Sequence, residues 1–256
     1  LQELMEGHYL EMVALLGRRT GEMHLSLSSS TEDPDFSPEP FSMLYQRSVY
    51  QSMRGLVRRV LQALRKNIRS LPEPLRKEAC FVLDSEQKML SLLQEIMVKK
   101  LSVTKIRIHG DYHLGQVLYT GKDFVIIDFE GEPARELTER RLKRSPLRDV
   151  AGMVRSFHYA AYFALLKEAS IRSEDMPILE PWTDLWYLYI SGFFLRSYLD
   201  TVGRAPFIPL DKREWRIMLK AFLLEKAIYE LGYELNNRPE WVVIPLKGIK
   251  NLLEVE

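Results

Sequence analysis

The sequence predicts a mainly α-helical protein carrying one small β-hairpin, and three observations support that reading. Apolar residues recur at three- and four-residue spacing through most of the chain, the period of an amphipathic helix. Two short β-prone runs, 116–119 and 123–127, meet across Thr120-Gly121-Lys122-Asp123, the composition of a tight turn. Hydrophobic residues make up 46% of the chain and aromatics 11%, so a substantial core can form and disorder is excluded.

The elements follow in chain order. Residues 4–27 place Tyr9, Met12, Val13, Leu16, Met23 and Leu27 near helical spacing, with Gly17 and Gly21 weakening the pattern. Residues 28–40 (SSSTEDPDFSPEP) form a polar, proline-containing break. A long helix is expected over 42–70. Tyr45, Val49, Met53, Leu56, Val60 and Leu64 mark its apolar face, while Arg54, Arg58, Arg59, Arg65 and Lys66 fall largely off it. Pro72 and Pro74 end that helix, and another is expected over 75–99. Residues 105–108 alternate, then comes the hairpin. Helical patterning returns with the stripe Leu147, Val150, Ala151, Val154, Phe157 and Ala161, and continues through 182–199 and 212–235. No internal repeat interrupts this order.

Composition narrows the function. The 36 basic and 35 acidic residues leave a formal charge of +1, which gives no global case for nucleic acid or an anionic membrane. The basic run 140–144 reads as a solvated face. Cys80 is the single cysteine, so an internal disulfide and a cysteine metal site are excluded; its apolar neighbours suggest a small buried side chain. No apolar run reaches the roughly 18 residues that a membrane span needs. The first residues lack a signal peptide's basic and apolar regions, which points to the cytoplasm; without an initiator Met they read as a fragment or processed chain.

The chemistry concentrates in His109-Gly110-Asp111-Tyr112-His113-Leu114-Gly115-Gln116 and in Val125-Ile126-Ile127-Asp128-Phe129-Glu130-Gly131. Asp111 sits on a loop after one extended segment, and Asp128 ends the second hairpin strand, 17 positions later. The hairpin folds them toward one another. Phosphoryl transfer uses such a pair: one carboxylate orients or deprotonates the attacking hydroxyl, and another holds the magnesium that bridges phosphate oxygens. The amide oxygen of Gln116 can add a hard ligand. Alone, Asp111 would read as a turn cap; joined to Gln116, the hairpin and Asp128-Phe129-Glu130, it reads as a phosphotransfer site.

These residues carry a resemblance. His109–Gln116 looks like the H-G-D-x-H-x-G-N loop of aminoglycoside and choline kinase-like phosphotransferases, with Gln in place of Asn. The longer string from His109 to Ala161, together with segments 17–27, 45–56 and 225–249, resembles maltokinase, including the form fused to trehalose synthase. The resemblance implies that residues 1–256 are the C-terminal catalytic lobe of a protein kinase-like (aminoglycoside phosphotransferase-like) fold, with loop and metal-binding hairpin at 105–131. No Gly-rich loop or lysine-bearing strand is found, so the N-terminal lobe is expected to be absent. It further implies ATP and Mg2+ as cofactors and maltose as acceptor, giving maltose 1-phosphate, with an isolated lobe expected to be inactive. Asp111 would be the base, Gln116 and Asp128 the magnesium ligands, Glu130 an assisting acid, and His109 and His113 braces of the loop. Lys226, Tyr229, Glu230 and Tyr233 would lie beside the sugar. The implied partners are an N-terminal ATP-binding lobe and a fused trehalose synthase domain.

Plainer readings stand beside these. His158 lies on an apolar stripe and suits a core histidine. Asp149 suits the first turn of a helix electrostatically, and Arg148 needs no function. The aromatics Trp182, Trp186, Tyr187, Tyr189, Phe193, Phe194 and Tyr198 spread around a helix and suit core packing better than a carbohydrate platform. The face of Tyr229 and Tyr233 fits a sugar cleft or an amphipathic boundary equally. An aminoglycoside or amino alcohol acceptor, or a non-catalytic sugar- or partner-binding lobe, remain the alternatives.

Overall fold

The computed structural model describes residues 7–30, 32–133, 136–167 and 173–254. In order these form α1 (Gly7–Leu27), β1 (Glu39–Pro40), α2 (Met43–Asn67), α3 (Glu73–Asp84), α4 (Glu86–Gln94) and β2 (Thr104–Lys105). There follow β3 (Val117–Tyr119), β4 (Phe124–Ile126), α5 (Leu137–Arg140), α6 (Leu147–Lys167), α7 (Met176–Val202), α8 (Lys212–Asn237) and α9 (Val243–Glu254). The helix start expected at Leu4 lies outside the described residues. Contacts divide the chain into two compact units, Leu1–Pro40 with Val103–Ile208, and Phe41–Ser102 with Pro209–Glu256.

In the first unit α1 packs against α7, which also packs against α6. The glycines that weaken α1 as an isolated helix are what allow this approach. A β-carbon at Gly17 would stand 2.4 Å from the carbonyl oxygen of Phe194, and one at Gly21 would stand 2.8 Å from Thr201 Cβ. Leu10, Val13, Leu16, Phe157, Ile190, Phe194 and Tyr198 are all buried in this unit. The aromatic helix is therefore core only in its second half. Before Ile190 α7 has no fully buried residue, and Trp182 remains 55% exposed.

Two small antiparallel sheets complete this unit. β1 pairs with β2, an element the proline-rich break concealed, and Glu39 on β1 receives Lys105 at 2.5 Å and Lys143 at 3.0 Å. These hydrogen bonds, Lys105's first, hold the Glu39 carboxyl below its ordinary range. β3 pairs with β4 in the register Val117↔Ile126, Leu118↔Val125, Tyr119↔Phe124. Arg19 of α1 fastens the hairpin tip, donating from Nε and Nη2 to the two oxygens of Asp123 at 2.8 Å each.

In the second unit α2 begins at Ser42, whose hydroxyl accepts the amide of Tyr45. Its apolar face buries Val49, Met53, Val57, Val60, Leu61 and Leu64, and the helix packs on α8 and α4. The single helix expected over 75–99 is two. Ser85 makes the last ladder bond of α3, amide to the carbonyl of Phe81, and its hydroxyl bonds to the same carbonyl, while its own backbone at φ −86° and ψ 6° separates the two helices. Cys80 is exposed rather than buried, because α3 turns Ala79 and Val82 inward and the position beside Ala79 outward. α9 had no clear periodic forerunner; Pro245 sits in its first turn, where a missing amide costs little. Among the described residues no helix is long and apolar enough to cross a membrane.

Candidate phosphotransfer site

The loop 109–116 is tied at both ends to the hairpin. His109 is 1% exposed, and its Nε2 lies 2.8 Å from the carbonyl oxygen of Ile127. A carbonyl only accepts, so Nε2 carries the hydrogen, leaving Nδ1 to accept the amide of Asp111 at 3.4 Å. One imidazole thus links the backbone of Asp111 to the residue preceding Asp128. A second link comes from Gln116, whose carbonyl accepts the amide of Ile127 at 3.0 Å. Its side-chain amide donates to Asp128 Oδ2 at 2.8 Å. His113 Nδ1 accepts the amide of Gly115 at 3.0 Å, and its Nε2 stands 3.8 Å from Asp111 Oδ2. The Asp111 carboxylate is 17% exposed, open enough to meet a substrate yet held by the loop.

Backbone geometry supports the same assembly. Gly110 and Gly131 take φ of 90° and 78°, and a β-carbon on Gly110 would stand 3.3 Å from Gly131 Cα, so loop and post-hairpin turn touch backbone to backbone. Asp128 is the one described non-glycine residue with positive φ, at 64°. Aspartate tolerates this region better than most residues, and a conformation of that kind persists only where its surroundings fix it.

The loop rests on a buried carboxylate that the sequence did not mark. Asp149, 2% exposed, accepts the amides of His109 at 2.8 Å and Gly110 at 3.0 Å. His24 of α1 donates to it from Nε2 at 3.1 Å, and His24 Nδ1 meets the hydroxyl of Tyr198 at 3.0 Å. Burial, then the charge of Asp149, push the Tyr198 hydroxyl well above its ordinary pKa. Thr20 donates to Leu16's carbonyl, so the Tyr112 hydroxyl donates to Thr20 at 2.8 Å. Leu114 donates its amide to Ser156 Oγ, and a β-carbon at Gly152 would stand 2.5 Å from the carbonyl of Tyr112. α1, α6 and α7 thus grip the loop from below. Asp149 had suited a first-turn acid because its partners lie about 40 positions earlier, beyond any local pattern. His24 stands beside Met23 and three residues before Leu27 on the apolar side of α1, and a histidine at such a position was the available signal.

The donor set suits magnesium in part. Asp128 and Gln116 supply hard oxygens, few in number, as magnesium bound mainly through phosphates requires. Gln116 must rotate its amide to present the oxygen, since its nitrogen now faces Asp128. Among the described residues no group of three or more His, Cys, Asp or Glu side chains is placed to hold a metal alone. Glu130 is exposed beyond Asp128. Lys226, Tyr229, Glu230 and Tyr233 belong to the second unit, on α8, where the Lys226 ammonium lies 5.1 Å from the Tyr229 ring centroid. His158 is buried, with Tyr162 and Tyr187 rings at 4.7 and 5.0 Å.

No family profile matches the chain. It is 25% identical to the glucosamine kinase of Streptacidiphilus jiangxiensis over 149 residues, 58% of this chain and 32% of that protein. It is 31% identical to the glucosamine kinase of Mycolicibacterium smegmatis over 150 residues, 57% of this chain and 34% of that protein. Among solved structures it is similar to glucosamine kinase in its crystal form A, with TM-score 0.76, 20% identity, and coverage of 99% of this chain and 53% of that one. Glucosamine kinase in complex with glucosamine, ADP and inorganic phosphate matches with TM-score 0.74 at 20% identity, covering 96% and 52%. The chain therefore spans about half the length of the solved proteins it resembles. These likenesses overturn the expected place among maltokinases and aminoglycoside phosphotransferase-like kinases, and the fused trehalose synthase loses its support with it. They also overturn the expected protein kinase-like C-terminal lobe with a missing N-lobe; the packed architecture is the one found in glucosamine kinase. A short loop-and-hairpin signature is local, whereas the fold is decided by how the remaining helices pack. The fold of this chain is similar to that of about half of a glucosamine kinase.

Proposed function

We propose that this chain provides the phosphoryl-transfer site of an ATP-dependent sugar kinase whose acceptor is glucosamine. The observation that supports the reading is the hydrogen-bonded assembly of Asp111, Gln116 and Asp128, in a chain similar to glucosamine kinases over more than half its length. Asp111 orients the sugar hydroxyl and takes its proton as the new O–P bond forms and the bond from the γ-phosphorus to the departing ADP oxygen breaks. Asp128 and Gln116 would hold Mg2+, which neutralises charge on the phosphate oxygens of ATP. His109 keeps the loop against the end of β4, and His113 stands beside the base. Glu130 adds negative charge past Asp128, which suits an acceptor bearing an ammonium.

The test is phosphate transfer from Mg-ATP by the longest natural polypeptide containing this chain, with glucosamine, glucose, N-acetylglucosamine and maltose as acceptors. Preferential phosphorylation of glucosamine is expected. Transfer to none of these sugars would overturn the reading, and glucosamine binding without ADP formation would replace it with a sugar-binding module.

A further inference from the structure

The exposed side of α2 carries a row of cations, only one of which, Arg65, meets an acidic side chain among the described residues. Its 25 residues include five arginines and one lysine, and no aspartate or glutamate. At about 100° per residue, Arg47, Arg54, Arg58 and Arg65 fall within about 40° of one direction, spaced about 10.5, 6 and 10.5 Å along the axis. Arg69 continues the row just past the helix end. Arg65 pairs with Glu86 at 2.7 Å, whereas Arg47, Arg58 and Arg69 enter no ion pair among the described residues. Residues 41–102 hold 12 Lys and Arg against 5 Asp and Glu, although the whole chain is nearly balanced. Arg54 and Arg58 are like charges at i and i+4, a spacing that weakens a helix and leaves it in want of a counter-charge.

We infer that this row is a docking surface for an acidic α-helix of a protein partner, lying alongside α2. An α-helix places side chains on the same 1.5 Å grid, so acids repeating at alternating four- and seven-residue spacing meet every arginine in register. The guanidinium fork grips a carboxylate through two parallel hydrogen bonds, and the row is arginine rather than lysine almost throughout. Nucleic acid fits less well. A duplex strand presents one charge evenly about every 3.4 Å of axis, and a net charge of +1 provides no long-range attraction for a polyanion. A membrane surface fits less well again, because the apolar face of α2 that would enter it is already buried through Met53, Leu61 and Leu64.

The experiment measures binding of labelled helical peptides to the full 256-residue chain by fluorescence anisotropy. One peptide carries glutamates at the four- and seven-residue spacing on one face; the other has the same composition with glutamates spread around the helix. The in-register peptide is expected to bind about tenfold tighter and to weaken as salt rises. Replacing Arg47, Arg58 and Arg69 together by glutamate should abolish that preference, with circular dichroism unchanged because all three are exposed; Arg58→Gln alone should reduce it. Equal affinity for both peptides would overturn the inference. So would tighter binding to duplex DNA or to phosphatidylserine vesicles than to the in-register peptide.

Discussion

Asp149 is the residue on which the candidate site depends most. A carboxylate that accepts three hydrogen bonds while 2% exposed cannot be truncated without stranding the amides of His109 and Gly110 and the imidazole of His24. Asp149→Ala is predicted to cost about 3 kcal/mol, the range for breaking a buried charged network. A urea denaturation midpoint checks this, and a loss below about 1 kcal/mol would mean the loop is held by other contacts. Tyr198 gives a pH-dependent counterpart. Its folded pKa is raised by burial and by Asp149, whereas an unfolded tyrosine ionises near 10, so its contribution is present below that pH and is lost as pH rises above it. Tyr198→Phe should cost about 1 kcal/mol at neutral pH and flatten the fall in stability above about pH 10. An unchanged alkaline slope would contradict that. Asp111, Gln116 and Asp128 were legible because they share one loop and one hairpin. Asp149, His24 and Tyr198 were not, because three separate helices bring them together.

At the scale of elements, the α1–α7 crossing turns on Gly17. Alanine there gains about 0.5–1 kcal/mol of helix propensity. Its β-carbon, however, would meet the backbone oxygen of Phe194 at 2.4 Å, and a backbone cannot rotate away. Overpacking of this kind costs about 1–3 kcal/mol, so Gly17→Ala should lower the melting temperature, and a rise would show that the helices can part freely. The hairpin has its own clasp. Arg19, then the Phe124 amide, hold the Asp123 carboxyl below its ordinary value of 3.8, so the clasp persists above that pH and is lost as pH falls through the depressed pKa. Backbone hydrogen exchange of β3 and β4 should therefore quicken in acid below about pH 4, and Arg19→Ala should remove that dependence. Helical spacing located α1, α2, α6 and α8 closely. It failed at Ser85, where a single residue leaves helical geometry inside a continuous pattern, and at α7, where an apolar sequence is nowhere fully buried in its first half.

For the molecule as a whole, the loop and hairpin pointed to phosphoryl transfer, but the lineage they suggested was not the one the relatives carry. A dozen residues specify the chemistry of a site; packing across more than two hundred specifies the fold. The two-unit division was equally invisible, since each unit is assembled from two segments far apart in the chain. In the proposed reaction Asp111 serves as base in transfer from ATP to a sugar hydroxyl. The direct measurement is the turnover of glucosamine by the longest natural polypeptide containing this chain, with and without Asp111→Asn. The prediction is a loss of kcat by a factor of about 100 or more with an unchanged melting temperature. A variant that turns over at the unmodified rate would contradict the assignment of Asp111.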